Sequence, residues 1–248
     1  MRSLFLSLFL VLAYPQNIIP QKNTPEYILG TKTEKKKLKK LDTLSFKIDW
    51  VDSLSLVLPC DGIPVPKRAS RLPNAPRSYR NGTHRGVDFF ANWGTPVRSV
   101  ADAFVIRADH NYIEVPADFR VNLLSATTKV GSTPSDIFNS ILLGKAVFLD
   151  HGFTLIPGFR VISIYAHLSS IEESISPGTF VEAGQLIGKS GNTGTRESTL
   201  GTKKESHLHW EMIIQKDKEE IYLGKDVPNP QLYEMLKKIF KRKLEEND

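Results

Sequence analysis

From Phe46 onward the chain carries short apolar runs divided by glycine and proline. Phe46, Ile48 and Trp50 alternate with polar residues, and so do Leu54, Leu56 and Leu58; a period of two marks a half-buried strand. Further strand-length runs cover 97–106, 146–149, 161–165, 180–187 and 208–214. Several short strands at such spacing predict a mostly β, antiparallel domain. Gly94-Thr95-Pro96-Val97 returns as Gly178-Thr179-Phe180-Val181, each opening such a run, a weak internal echo.

Other stretches break this texture. Residues 109–143 read as an insertion. Within it Thr133-Pro134-Ser135-Asp136 predicts a helix start, with Thr as N-cap and Pro at the first position. Ile137, Ile141 and Leu142 would form its buried side, and Gly144 a stop. A helix folding back in this way is expected to wall one end of any groove beside it. At the other end of the chain, Leu232, Leu236, Ile239, Phe240 and Lys243 stand at helical spacing, predicting an amphipathic helix within 229–248. The domain itself is expected to span 53–228.

The N-terminal residues follow a different pattern. Arg2 precedes an almost wholly apolar run from Leu4 to Ala13, followed by Pro15 and polar residues. A basic start, a short apolar run and a polar exit match a secretory signal peptide over 1–15. The run falls short of the roughly 20 residues of a membrane span. Residues 16–52, including Lys35-Lys36-Lys37-Leu38-Lys39-Lys40, read as a solvated basic linker.

Composition narrows the choices. Hydrophobic residues make up 40% and charged residues 24% of the 248, ordinary globular usage that excludes wholesale disorder and a multi-span membrane protein. The formal net charge of +6 suits an anionic partner, but the basic run lacks interleaved aromatics, so no nucleic acid is expected. The single cysteine, Cys60, excludes an intramolecular disulfide and a multi-Cys zinc knuckle. Any bound metal must draw on His, Asp or Glu.

The chemistry concentrates around four of the six histidines. His84 and Asp88 stand four apart, and a straight strand would separate them by about 13 Å at about 3.3 Å per residue. They share a metal only if the chain bends, and Gly86 permits a bend. Alone, this pair is as readily a turn histidine with a capping Asp. His207 and His209 flank Leu208, and positions i and i+2 of a strand share a face, so both imidazoles project into one groove. His167 ends the strand-like run Tyr165-Ala166-His167 and shares the parity of Tyr165. His151 reads as structural, and His110 has no assigned role.

Taken in order, HRGVDFFANWGTPV from His84, Tyr165-Ala166-His167-Leu168, GTFVEAGQLIGKSGNTG from Gly178, and HLHWE from His207 resemble the lysostaphin-type, LytM-like zinc endopeptidases. The resemblance covers roughly residues 55 to 215. It implies a small antiparallel β domain of the duplicated hybrid motif type, with a metal-bearing groove. His84, Asp88 and His209 would match the family's zinc ligands, one Zn²⁺ per chain, and His167 and His207 its two catalytic non-ligand histidines. Tyr79 is the nearest match to a substrate-side tyrosine. The implied substrates are peptidoglycan peptides, stems or cross-links. The implied location is the periplasm or cell envelope of a bacterium, with no integral membrane span after signal removal. The stretch between Val97 and His167 is longer than usual for the family, through the insertion 109–143.

Three protein ligands leave zinc an open position, the mark of a catalytic site. Water there becomes acidic enough to attack a peptide carbonyl, while imidazoles stabilise the developing charge and move the proton. No H-E-x-x-H helix or Gly-x-Ser-x-Gly elbow occurs in the sequence. The alternatives are a non-catalytic LytM-like module that binds the wall or activates a hydrolase, and a sugar phosphocarrier of similar fold. Loss of ligand residues would mark the first, and all five positions are intact. The signal-like start and Asp88 do not suit the second.

Overall fold

The computed structural model describes residues 44–241. The signal peptide expected over 1–15, the basic run and Lys243 lie outside the described residues. The first half carries β1 (Pro76–Arg77), β2 (Gly82–Thr83), β3 (Val87–Phe89), β4 (Pro96–Arg98) and β5 (Ala103–Ala108). Helices α1 (Ala117–Val130) and α2 (Ser135–Ile137) follow, before β6 (Val147–Asp150), β7 (Arg160–Ala166), β8 (Leu168–Ile171), β9 (Phe180–Val181) and β10 (Leu186–Ser190). Then come α3 (Arg196–Thr199), β11 (Leu208–Lys216), β12 (Glu219–Tyr222) and α4 (Gln231–Ile239). The architecture is mostly antiparallel β, as the alternation and the resemblance imply.

The main sheet runs β12-β11-β7-β6-β5-β9, and β3 also pairs with β11. A smaller sheet runs β4-β10-β8, and β1 and β2 form a hairpin. Strand β11 is the longest and organises the rest. Its residues Leu208, Trp210, Met212 and Ile214 are buried in the main core with Val87, Phe89, Val161 and Tyr165. The alternate residue Ile213 joins a second cluster with Ile164, Ala166 and the insertion residues Leu124, Phe138, Leu142 and Leu143. One face of the sheet therefore meets the core. The other is covered by the insertion, which folds back onto the β domain as expected. Because side chains alternate across a strand, His209 and Glu211 share the insertion's side.

Several expectations shift. The segment 44–58 forms no strand; a 3₁₀ turn over Ile48–Val51 precedes a bend in which the Leu54 N–H donates to the Val51 carbonyl. Backbone bonds from Trp50, Asp52 and Leu54 back to Lys47, Asp49 and Val51 close successive turns that override the alternation. The apolar residues still pack inward: Val51, Leu54 and Leu56 are buried, and Phe46 and Trp50 lie against the core. The packed body thus reaches back to Leu44, ahead of the boundary expected at 53.

In the insertion the short helix begins near Pro134 but continues as a π turn over Phe138–Leu142. Thr133 does not cap it; its hydroxyl donates to the Arg80 carbonyl. Helix α1, 14 residues long, gave no sequence signal, since its buried side mixes Leu124 with Arg120 and Thr127. The two echoed Gly-Thr turns both place glycine in the left-handed region and open β4 and β9. Helix α4 buries Leu232, Leu236 and Ile239 in the main core as expected.

Candidate metal centre

The register of β11 builds the centre. His209 lies directly opposite Asp88 on β3 and opposite Ala166 on β7. Cross-strand partners share a face, so Asp88 and His209 meet without any loop. His84 precedes β3, where its backbone N–H donates to Ala75 and its carbonyl accepts from Asn74. The bend comes at Gly86, as expected, but not through left-handed backbone, in which Gly86 is not found. A Cβ there would strike the Trp210 carbonyl and crowd the Glu211 Cγ at 2.9 Å. Only a residue without a side chain lets this bend lie against β11.

Three donor atoms converge. His84 Nε2 lies 2.9 Å from Asp88 Oδ1 and 3.0 Å from His209 Nδ1, and His209 Nδ1 lies 2.8 Å from Asp88 Oδ1. All three residues are buried. The opposite nitrogen of each imidazole has its own acceptor: His84 Nδ1–H donates to the Leu72 carbonyl at 2.8 Å, and His209 Nε2–H donates to Glu211 Oε1 at 2.8 Å. With those protons so placed, the inward atoms are three lone-pair acceptors about one hydrogen bond apart. Such a cluster needs a cation or a shared proton at its middle. Two imidazoles and a carboxylate, each imidazole fixed by an outer acceptor, are a donor set that could hold a metal ion.

The electrostatics follow from the packing. Burial pushes the His84 imidazole down, partly offset by Asp88. Burial would raise the Asp88 carboxyl, but His84 and His209 hold it well below the usual carboxylate range; Arg77 also grips Asp88 Oδ2 at 2.9 Å. Burial acts downward on His209 as well, yet its bonds to Asp88 and Glu211 lift it to about 9. Glu211, fully buried, would be raised by burial and is instead lowered by His209 and Arg85. Arg85 Nη2 stands 3.0 Å from Glu211 Oε2, close enough for an ion pair although too bent for a hydrogen bond.

The two other histidines flank the cluster. His167 Nδ1–H donates to the Thr193 carbonyl at 2.7 Å, and His207 Nδ1–H to the Glu205 carbonyl at 2.8 Å. Each ring thus turns Nε2 away from the backbone, and His207 Nε2 lies 3.9 Å from Asp88 Oδ1. The rings of His167 and His207 are 4.8 Å apart between centroids. Burial and the neighbouring His207 and His209 hold His167 well below the usual imidazole range; burial lowers His207, partly offset by Asp88. Strand parity misassigns His167: β7 ends at Ala166 and His167 has φ 62°, so Tyr165 points into the core while His167 turns out to the groove. His207 stacks on Phe90 at 5.1 Å, with the Arg71 guanidinium over the far face of that ring.

These residues line a cavity of about 630 Å³. Its far wall is the insertion, through Leu124, Ser125, Phe138 and Leu142, and the half-exposed Tyr79 sits at its edge. His151, between the Asp102 carbonyl and Ser163 Oγ, is structural as expected. Sequence reading missed Arg77, Glu211, Arg85 and Phe90. The one available signal was Glu211 itself, which shares the strand face of His209.

Residues 126–221 match Peptidase family M23, a range that holds His167, His207 and His209 and stops short of His84 and Asp88. The glycyl-glycine endopeptidase ALE-1 of Staphylococcus capitis is 28% identical over 139 residues, which are 56% of this chain and 26% of that protein. The chain thus spans about a quarter of the length of this curated relative. Among solved structures, the catalytic domain of the antimicrobial peptidase lysostaphin from Staphylococcus simulans is 21% identical over 70% of this chain and 90% of that one, with TM-score 0.36. A zinc-containing peptidase from Vibrio cholerae is 18% identical over 68% and 35% of the two chains, with TM-score 0.35. The match over residues 126–221 and the four ordered motifs make this chain similar to the lysostaphin-type, LytM-like peptidases. Among the described residues no helix is long and apolar enough to cross a membrane.

Proposed function

We propose that the chain is an exported zinc endopeptidase that hydrolyses peptide bonds in bacterial peptidoglycan, in stems or cross-links, at the periplasm or cell envelope. The observation that carries the reading is the convergence of His84 Nε2, Asp88 Oδ1 and His209 Nδ1, with both imidazoles fixed from behind by Leu72 and Glu211. These three residues would hold one Zn²⁺, which supplies Lewis acidity toward a carbonyl and toward water when bound. The remaining work falls to the chain. The peptide lies along the cavity with its scissile carbonyl facing Asp88 and His209. His167 and His207 present bare Nε2 atoms to that point because each Nδ1–H is already donated to a backbone carbonyl. Lowered imidazoles of this kind stay neutral near pH 7 and accept a proton as water attacks. The Nε2–H formed in this way donates to the developing oxyanion, and the proton then passes from these imidazoles to the departing amine.

The test uses the purified full chain with isolated wall fragments, read by mass spectrometry, alongside metal analysis. Asp88→Ala is expected to lose zinc and cleavage together. His207→Ala is expected to keep zinc and lose cleavage. Full turnover by His207→Ala refutes its catalytic role, and a zinc-loaded wild type that cleaves no wall peptide refutes the endopeptidase reading.

A further inference from the structure

Two arginines in the cavity wall have no carboxylate of their own. Arg80 and Arg120 both line the cavity, and only 7% and 9% of their surface is exposed. Among the described residues neither makes an ion pair within 4.0 Å. The carboxylates that act on them from farther off are Glu211 and Glu114, and both are committed elsewhere. Glu211 holds His209 and Arg85, and Glu114 accepts the Tyr112 hydroxyl at 2.9 Å and the Gly194 N–H at 2.8 Å. Each guanidinium spends one donor on a backbone carbonyl, Arg80 on Thr83 at 2.6 Å and Arg120 on Gly194 at 3.3 Å. Arg80 also lies beside the uncharged Tyr79 hydroxyl, and most of the five donors on each fork are left for other partners. Burying a cation without a counter-charge is costly, so a pair kept this way calls for an anion.

Both side chains are held by the insertion. Arg120 is on α1. Arg80 lies over the ring of Phe138, 4.7 Å from its centroid, while its carbonyl takes the Thr133 hydroxyl. The Gly194 carbonyl that anchors Arg120 follows Thr193, whose carbonyl orients His167. An anion on Arg120 is therefore one loop residue away from the support of a catalytic imidazole. A guanidinium fork matches a carboxylate in a bidentate manner.

We infer that the insertion equips the groove with a carboxylate subsite, Arg80 and Arg120, which selects an acidic peptide whose carboxylate lies within a residue or two of the scissile bond. This rests on the endopeptidase reading and narrows it: a glycine-only bridge offers these arginines no side-chain carboxylate.

The zinc-loaded full chain is given three probes: purified cross-linked wall peptides, the same peptides with their carboxylates amidated by carbodiimide and ammonia, and an oligoglycine. The native peptides are expected to exceed the amidated ones by about 10- to 100-fold in kcat/KM, the range of a charge-assisted hydrogen bond. That ratio is expected to collapse toward one in Arg120→Gln and in Arg80→Gln. Zinc content and melting temperature establish that each variant is folded, and Arg120→Lys, which keeps the charge and loses the fork, is expected to restore part of the ratio. Equal handling of native and amidated peptides overturns the subsite, as does a ratio that survives both glutamine variants. If no probe is cleaved, the endopeptidase reading is the part that fails. The subsite is then decided by binding anisotropy of the labelled native and amidated peptides, where the same ratio and the same collapse are required.

Discussion

Glu211 never touches the proposed metal, yet removing it is expected to loosen the site measurably. Its side chain is fully buried, and Oε1 receives the His209 Nε2–H at 2.8 Å. A hydrogen bond to a charged group contributes about 1.5–3 kcal/mol. At about 1.4 kcal/mol per tenfold, that is about 10- to 100-fold in affinity, the range seen when the outer partner of a metal-binding imidazole is lost. Glu211→Gln keeps an acceptor for the N–H and removes the charge, so zinc affinity is expected to fall by about tenfold. Glu211→Ala removes both and strands a buried donor, so the loss is expected to approach about 100-fold. Arg85, whose side chain is 28% exposed, turns to water in either variant and adds little. Competition against a chromophoric chelator measures the affinity. A circular-dichroism melt without zinc separates it from any loss of fold. A folded Glu211→Ala protein that binds zinc as tightly as the wild type would refute the orienting role of this carboxylate.

Two further outcomes are expected. Gly86→Ala places a methyl group against the Trp210 carbonyl, so β3 must lift from β11; overpacking of this kind costs about 1–3 kcal/mol, and urea unfolding should show it together with weakened zinc binding. An unchanged midpoint would mean that β3 accommodates the methyl. Cys60 is fully buried, and burial, aided by Asp61, pushes its thiol from 9.0 up to about 12. The native thiol should therefore resist a thiol reagent at pH 8 and react only in denaturant. The fold keeps a proton that the unfolded chain releases above 9.0, so this group's contribution to stability falls as pH rises from there toward 12. Rapid native labelling would contradict the burial.

The strands of the main sheet were legible because β6, β7 and β11 bury alternate residues against a single core. The metal cluster was legible because His209, the second histidine of H-x-H, falls on β11, while His207 pairs with Gly191 just ahead of that strand. His167 was legible only by resemblance: its left-handed backbone ends the alternation that parity relies on. Helix α1 was invisible for a related reason. It buries Arg120 and Thr127 beside Leu124, and a periodicity search sees only apolar residues. Segment 44–58 misled because its apolar residues all pack inward from a turn, imitating alternation. Arg77 was hidden because its role depends on which neighbour it faces, Asp88, which no spacing encodes.

Asp88 and His209 are 121 residues apart in sequence and directly opposite in register. That separation fixes the order in which the protein becomes what it is. A growing chain that has not yet produced Leu208 already carries His84, Asp88, His167 and the whole insertion. It has no β11, so β3 has no edge to pair with and the first two donors have no third. In a growing chain the three donors can therefore meet only after the Leu208–Lys216 strand has been made.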